Sequence, residues 1–94
     1  MLHIVKSSPF SDLALEQALS RMLPHDSLLL IGDGCYALSI GDKLFDRMAD
    51  CARVWVLQSD AQMRGIQIEG SGASSADYAK FVELTLEQSN VISW

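Results

Sequence analysis

The stretch SLLLIGDGCYALSIG, from Ser27 to Gly41, decides the fold of this chain. Its apolar run, Leu28 to Ile31, is short and bounded by turn residues, which is typical of a strand buried on both faces of a parallel sheet. Gly32-Asp33-Gly34 then predicts a sharp turn, because glycine reaches backbone conformations that are costly for other residues. Functional groups in open α/β sheets gather beyond the carboxyl ends of the strands. Cys35, which follows the turn, is therefore the first candidate for chemistry.

Strands and helices are predicted to alternate on both sides of this stretch. The predicted strands are Leu2 to Val5, Leu28 to Ile31, Arg53 to Gln58, Ile66 to Ile68 and Val91 to Trp94. The predicted helical segments are Ser11 or Asp12 to Leu23, Tyr36 to Ile40, Asp42 to Cys51, Ala61 to Arg64 and Tyr78 to Ser89, and Glu69 to Ala76 is predicted to be a surface loop. This alternation predicts one α/β domain, residues 1–94, with a mostly parallel sheet of about four to five strands flanked by helices.

Composition restricts the classes of partner. The formal net charge is −5, which repels phosphate backbones and argues against direct binding of nucleic acid. The apolar runs are far shorter than the ~20 residues of a membrane span, and the start of the chain lacks a signal-peptide pattern, so we expect a soluble, cytoplasmic protein without membrane contact. Hydrophobic residues nevertheless make up 49% of this small chain, which indicates that part of its surface covers a partner subunit.

Cys35 has two interpretations. A thiol at the end of a strand, beside backbone N–H groups, can act as a nucleophile or persulfide carrier if its pKa is lowered. Against this, Asp33 would raise the pKa of the thiol, and isolated cysteines commonly behave as small buried hydrophobic residues. Cys51, at a predicted helix end, is interpreted as a packing residue. The spacing of the two cysteines matches no zinc motif, and a cytosolic pair favours free thiols over a disulfide.

Other sequence features give no cofactor or metal site. Gly32-x-Gly34 is half of a dinucleotide-binding fingerprint, but the third glycine is missing, so a tight turn or a nucleotide- or flavin-binding loop remain as alternatives. His3 and His25 have no partner at metal-ligand spacing, and a hydrogen-bonded structural role is predicted for His3. No nucleophile-elbow motif surrounds any serine.

Five apolar or aromatic side chains lie at element ends or in short connections, where a small domain has difficulty burying them. They are Phe10, Tyr36, Leu38, Ile40 and Trp94. Aromatic anchors of this kind are common at subunit interfaces, with packing in the core as the alternative. These five residues are the candidate partner contacts.

Short motifs in a fixed order extend along nearly the whole chain. They are Met1-Leu2-His3 and Ser8-Pro9-Phe10 near the start, Leu28-Leu29-Leu30 with Asp33-Gly34 and Ala37 in the middle, Val54 to Leu57 with Asp60 and Arg64-Gly65 further on, and Asp77-Tyr78, Phe81-Val82, Leu84-Thr85 and Trp94 toward the end. In the order, the spacing and the length of the chain, the sequence resembles the TusB/DsrH family of small sulfur-relay subunits.

This resemblance implies a fold of the DsrE type and a place in a heterohexamer with TusC-like and TusD-like subunits. In the TusBCD form, that complex relays persulfide sulfur toward 2-thiolation of the wobble uridine of tRNA, and the transfer cysteine belongs to the D-type subunit. A non-catalytic role in such a complex is therefore the leading hypothesis. A sulfur carrier acting through Cys35 is one alternative, and a DsrH-like subunit in sulfur oxidation is another. The DsrH branch carries a cysteine on its first helix, at the position of Ala18 here, which favours the TusB-like role.

Overall fold

The computed structural model describes residues 1–39, 53–87 and 90–94, which form a five-stranded sheet flanked by helices. The strands are β1 (Leu2–Val5), β2 (Ser27–Leu30), β3 (Arg53–Leu57), β4 (Ser74–Ala76) and β5 (Val91–Ser93). The helices are α1 (Ala14–Arg21), a 3₁₀ helix (Gly32–Ser39), α2 (Gln58–Met63) and α3 (Tyr78–Glu87). The strand order is β4-β3-β2-β1-β5, and every pair of neighbours is parallel.

Strand β2 is the centre of the sheet. It pairs with β1 on one side, where Leu29 lies opposite Ile4, and with β3 on the other, where Leu29 lies opposite Trp55. Leu28, Leu29 and the following Leu30 are fully buried. Each such leucine contributes about 2 kcal/mol by leaving water, so a short leucine run with turn residues at both ends is stable here only as an inner strand. The predicted buried strand at Leu28 to Ile31 is confirmed, with bounds one residue earlier in the chain.

The two faces of the sheet have separate cores. On one face, α1, the 3₁₀ helix and α2 pack over β1, β2 and β3, and the buried residues there include Leu15, Ala18, Leu28, Leu30 and Val56. On the other face, α3 packs over a smaller cluster formed by Leu2, Ile4, Leu29, Ala76 and Leu84. Alternate residues of the inner strands thus point to opposite cores, as a sheet covered on both faces requires.

Aspartate side chains cap the first turns of α1 and α3. Asp12 Oδ1 accepts a hydrogen bond of 2.8 Å from the backbone N–H of Ala14, and Asp77 Oδ1 accepts one of 2.7 Å from that of Lys80. These carboxylates satisfy N–H groups that have no partner within the helix. Gly65 follows α2 with φ of +66°, a left-handed conformation that is typical of the end of a helix.

The prediction of the fourth strand is wrong. Residues 66–68 form no strand, and β4 lies instead at Ser74–Ala76, within the predicted surface loop. Ile66 and Ile68 are half-buried against the first core after the turn at Gly65, so their apolar alternation reflects packing of a loop. Strand β4 has little apolar character, and its pairing with β3 defines it.

Several predicted boundaries also shift. The 3₁₀ helix begins at Gly32 rather than Tyr36, and α2 begins at Gln58, which the sequence predicts as part of β3. Helix α1 is shorter than predicted, since it spans only Ala14–Arg21. The predicted helix from Asp42 to Cys51 lies outside the described residues.

Helix α3 packs on the sheet with only part of its apolar stripe. Tyr78, Phe81, Val82 and Thr85 form a stripe at helical spacing, but the fully buried residue of the helix is Leu84. Tyr78 is 76% exposed and Val82 is 38% exposed, whereas Phe81 packs at the edge of the second core. Within the described ranges, no helix is long and apolar enough to cross a membrane.

Candidate functional site

Cys35 lies in the 3₁₀ helix, directly beyond the carboxyl end of β2, and its side chain is fully buried in the first core. Its Sγ atom is 3.7 Å from the carbonyl oxygen of Leu30, to which the thiol donates a weak hydrogen bond. Burial raises the pKa of this thiol to about 11, and the carboxylates of Asp60 and Asp33 add to the rise while Arg64 partly offsets it. At neutral pH the group is a protonated thiol inside the core, which is a poor nucleophile.

Charged side chains join the 3₁₀ helix to α2 beside Cys35. The Asp60 carboxylate accepts a hydrogen bond of 2.7 Å from the N–H of Gly32. The Arg64 guanidinium donates one bond of 2.9 Å to Asp33 Oδ1 and another of 3.0 Å to the carbonyl oxygen of Asp60. We call Gly32, Asp33, Asp60 and Arg64 the edge cluster. It fixes the segments that follow β2 and β3 against each other at the carboxyl edge of the sheet.

The sequence indicates the members of the edge cluster only separately. Asp33 belongs to the predicted turn after the second strand, and Asp33, Asp60 and Arg64 occur as separate pieces of the motifs that extend along the chain. The contact between Asp33 and Arg64 joins residues 31 positions apart, and no local pattern in one sequence predicts it. The adjacency of β2 and β3 in a parallel sheet is the feature that brings them together.

The two glycines of the turn are required by the chain itself. Gly32 has φ of +52°, a left-handed conformation that confirms the predicted turn. A Cβ atom on Gly34 would lie 2.2 Å from the carbonyl oxygen of Val5, so β1 and the 3₁₀ helix approach as closely as they do only with glycine there. The N–H of Gly32 is already bonded to Asp60. Both glycines therefore serve internal packing rather than the close approach of a phosphate.

The five candidate partner contacts are spread over the described surface and interior. Phe10, in the turn after β1, is 71% exposed. Tyr36 and Leu38 are half-buried on the 3₁₀ helix, and Leu38 packs against the first core. Trp94 is also half-buried against this core, and Ile40 lies outside the described residues. The role of these residues as partner contacts remains a prediction.

Trp94 belongs to a second polar cluster, which surrounds Asp26. The indole Nε1–H of Trp94 donates a hydrogen bond of 3.1 Å to His3 Nδ1, and the two rings stack with centroids 6.1 Å apart. His3 Nε2 lies 2.9 Å from Asp26 Oδ2. Because an indole N–H can only donate, Nδ1 must accept, and the proton of the neutral imidazole is on Nε2, where it is donated to Asp26. The predicted structural role of His3 is confirmed.

The Asp26 carboxylate is a buried acceptor for three donors. It accepts hydrogen bonds from the backbone N–H of Leu23 at 3.0 Å, from His3, and from the α-amino group of Met1 at 3.1 Å. Burial alone would raise the pKa of Asp26, but these hydrogen bonds and the charge of the amino group together lower it to about 2. This carboxylate ties β1 to the connection between α1 and β2 and stabilises the fold.

The part of the chain that the structure describes contains no set of side chains placed to bind a metal ion. There, no three His, Cys, Asp or Glu side chains are placed so that they could hold an ion together. The His3 and Asp26 pair is committed to the contacts with Trp94 and Met1.

The chain is similar in sequence to known proteins over most of its length. The family model described as "DsrH like protein" matches residues 7–91. A protein named TusB from Pectobacterium parmentieri is 32% identical over 96 residues, and one from Escherichia coli O81 is 35% identical over 98 residues; in both cases the match covers 100% of each chain.

Solved structures share the fold at low sequence identity. The crystal structure of the ychN protein from Escherichia coli is 17% identical with a TM-score of 0.77, covering 99% of this chain and 97% of that one. The solution structure of protein Tm0979 from Thermotoga maritima is 17% identical with a TM-score of 0.67, covering 94% of each. The predicted DsrE-type α/β fold is thus confirmed, and its parallel sheet has five strands. With a family model matched over most of its length and full-length relatives above 30% identity, this chain belongs to the TusB/DsrH family.

Proposed function

We propose that this chain is a non-catalytic subunit of a cytoplasmic, TusBCD-like sulfur-relay complex. Its partners are TusC-like and TusD-like subunits in a heterohexamer, and the sulfur that the complex relays serves 2-thiolation of the wobble uridine of tRNA. The observation that carries the proposal is the full-length match to proteins named TusB. The chain's task is to complete and orient the assembly around the reactive cysteine of a partner.

The state of Cys35 supports the non-catalytic role. Persulfide transfer requires a thiolate to attack the outer sulfur of a persulfide, forming one S–S bond while the other breaks and its thiolate leaves. Cys35 is fully buried, and its pKa is raised to about 11. Only about one molecule in a thousand would hold the thiolate at pH 8, and the buried sulfur is closed to solvent.

The first helix supports the TusB-like branch over the sulfur-oxidising one. Ala18, at the position where the DsrH branch carries a cysteine, is fully buried between α1 and the sheet. Ala18 carries no thiol, and the thiol of Cys35 is buried.

The net charge of the chain and its exposed apolar side chains are consistent with a subunit of a protein complex. The net charge of −5 repels the tRNA backbone, which suits a subunit upstream of the enzyme that meets the tRNA. Several large hydrophobic side chains are more than 60% exposed in the isolated chain. They are Phe10, Leu13, Leu23, Met63, Tyr78 and Leu86. Their burial against other subunits would remove a substantial apolar surface from water.

Co-expression tests the assembly directly. With TusC-like and TusD-like proteins from the same genome, the chain is expected to elute as one defined heterohexamer, whereas alone it should self-associate or aggregate. Size-exclusion chromatography with light scattering and subunit stoichiometry by native mass spectrometry provide the measurement. A stable monomer that remains separate from both partners would contradict the proposal.

A further inference from the structure

Strand β4 is an exposed end of the sheet. It pairs with β3 on one side, and it is the last strand in the order on the other. Ser74 and Ser75 are exposed, and only Ala76 is buried. Alternate N–H and C=O groups of an edge strand point away from the sheet, where they can pair with another chain. The three residues of β4 include no lysine or proline that would protect this edge.

Two grooves lie along β4, one on each face of the sheet. The first has a volume of about 510 Å³ and is lined by Trp55, Asp77, Lys80 and Glu83. The second has a volume of about 430 Å³ and is lined by Ile66, Ile68, Ala73 and Glu69, among others. Both grooves also include Ser75 and Gln58, so they meet at the edge of the sheet. Trp55 packs with one core and Ile66 with the other, which places the grooves on opposite faces.

This arrangement has the geometry of strand addition. A strand added to β4 would direct its side chains alternately into the two grooves, while its backbone pairs with the open edge. The second groove offers Ile66, Ile68 and Ala73 to apolar side chains. The first groove offers a mixed wall of indole and charged groups.

The charge of the grooves indicates the character of the added strand. Among the described residues, Lys80 is the one basic residue that lines them, and its ammonium lies 3.3 Å from Glu83 and 4.8 Å from the ring centroid of Trp55. Asp77 and Glu69 make no ion pair within the described ranges. Negative charge therefore remains at both grooves, and a basic segment complements it.

We propose that β4 is the edge at which an extended, basic segment of a neighbouring subunit joins this sheet. The segment alternates apolar residues, which enter the groove of Ile66 and Ile68, with basic residues, which enter the groove of Asp77 and Glu83. The proposal rests on the subunit role proposed above and assigns the surface through which that role is carried out.

A pair of lysine substitutions at the two ends of the sheet tests the proposal. Lysine on an edge strand opposes strand addition, and at β4 it would also repel a basic segment. Ser75→Lys is expected to weaken assembly with the TusC-like and TusD-like partners at least about tenfold. Ser93→Lys, on the opposite edge strand β5, is the matched control and should change the dissociation constant less than about threefold. Circular dichroism and thermal unfolding of both variants check that each one folds.

Hydrogen exchange on the assembled complex gives an independent readout. Amides of residues 73–76 should be protected in the wild-type complex relative to the free chain. Equal assembly of Ser75→Lys and wild type, or unchanged exchange at 73–76, would overturn the edge proposal while leaving the subunit role intact. If the wild-type chain fails to assemble with its partners, the subunit role itself is overturned.

Discussion

Gly34→Ala is expected to destabilise the fold by about 3 kcal/mol, a large part of the stability of a domain this small. The added Cβ would lie 2.2 Å from the carbonyl oxygen of Val5, a backbone atom that cannot move without β1. Strand β1 is held between β2 and β5, so the 3₁₀ helix or the sheet must shift. Urea denaturation followed by circular dichroism, at several protein concentrations, measures the loss of unfolding free energy.

Gly70→Ala is the matched control for this prediction. Gly70 has φ of +80°, but nothing lies within 4 Å of the position that an added Cβ atom would take there. The strain of a left-handed alanine is about 1 kcal/mol, and no steric clash adds to it. Gly34 does not have a positive φ, so its substitution carries no such strain, and a loss in Gly34→Ala no larger than that in Gly70→Ala would contradict the clash with β1.

Asp26→Asn is expected to destabilise the fold by about 2 kcal/mol at pH 7 and by progressively less in acid. The pKa of Asp26 is about 2 in the folded chain and near 3.8 when unfolded. Because folding lowers this pKa, the stabilisation is fully present above about pH 4. It is lost as the pH falls from there toward the folded-state pKa. The measurement is the unfolding free energy of both proteins, followed from neutral pH into acid.

Asp33→Asn separates this effect from the general loss of a carboxylate. Asp33 also pairs with a cation, at 2.9 Å from Arg64, but its side chain is 59% exposed. A surface pair contributes under about 1 kcal/mol, because water and salt screen it. An acid-dependent loss in Asp33→Asn as large as that in Asp26→Asn would show that the buried contacts of Asp26 are not the cause.

Local patterns in the sequence predict much of the architecture. Leu28 to Leu30 is too apolar and too short for anything but an inner strand, and Asp12 and Asp77 are placed where helices need acceptors. The motifs shared with the TusB/DsrH family add the fold type. These features depend on neighbouring residues, which a single sequence displays directly.

Features that depend on tertiary contacts are missed or wrongly predicted from local sequence patterns. Strand β4 has almost no strand propensity and exists because β3 offers an edge to pair with. Ile66 and Ile68 have the alternation of a strand but pack as a loop. The bond from Arg64 to Asp33 follows from the adjacency of β2 and β3.

The predictions about Cys35 are likewise correct for a local effect and incomplete for an effect of tertiary packing. Asp33 does have the predicted unfavourable effect on the Cys35 thiolate, but burial is the larger cause of the raised pKa, and Asp60 adds more than Asp33. Burial depends on how α1, the 3₁₀ helix and α2 close over the sheet. No sequence pattern near Cys35 predicts how these helices pack over it.

Quantification of 2-thiouridine at the tRNA wobble position tests the central claim most directly. In cells lacking the chromosomal copy of this protein, thiolation measured by mass spectrometry is expected to fall, and the wild-type chain should restore it. Cys35→Ser and Cys35→Ala should restore it equally, because the buried thiol does not carry the relayed sulfur. Unchanged thiolation in the deletion strain would contradict a role in the relay. Failure of both variants, present at wild-type levels and folded, would contradict the non-catalytic role and make Cys35 the carrier.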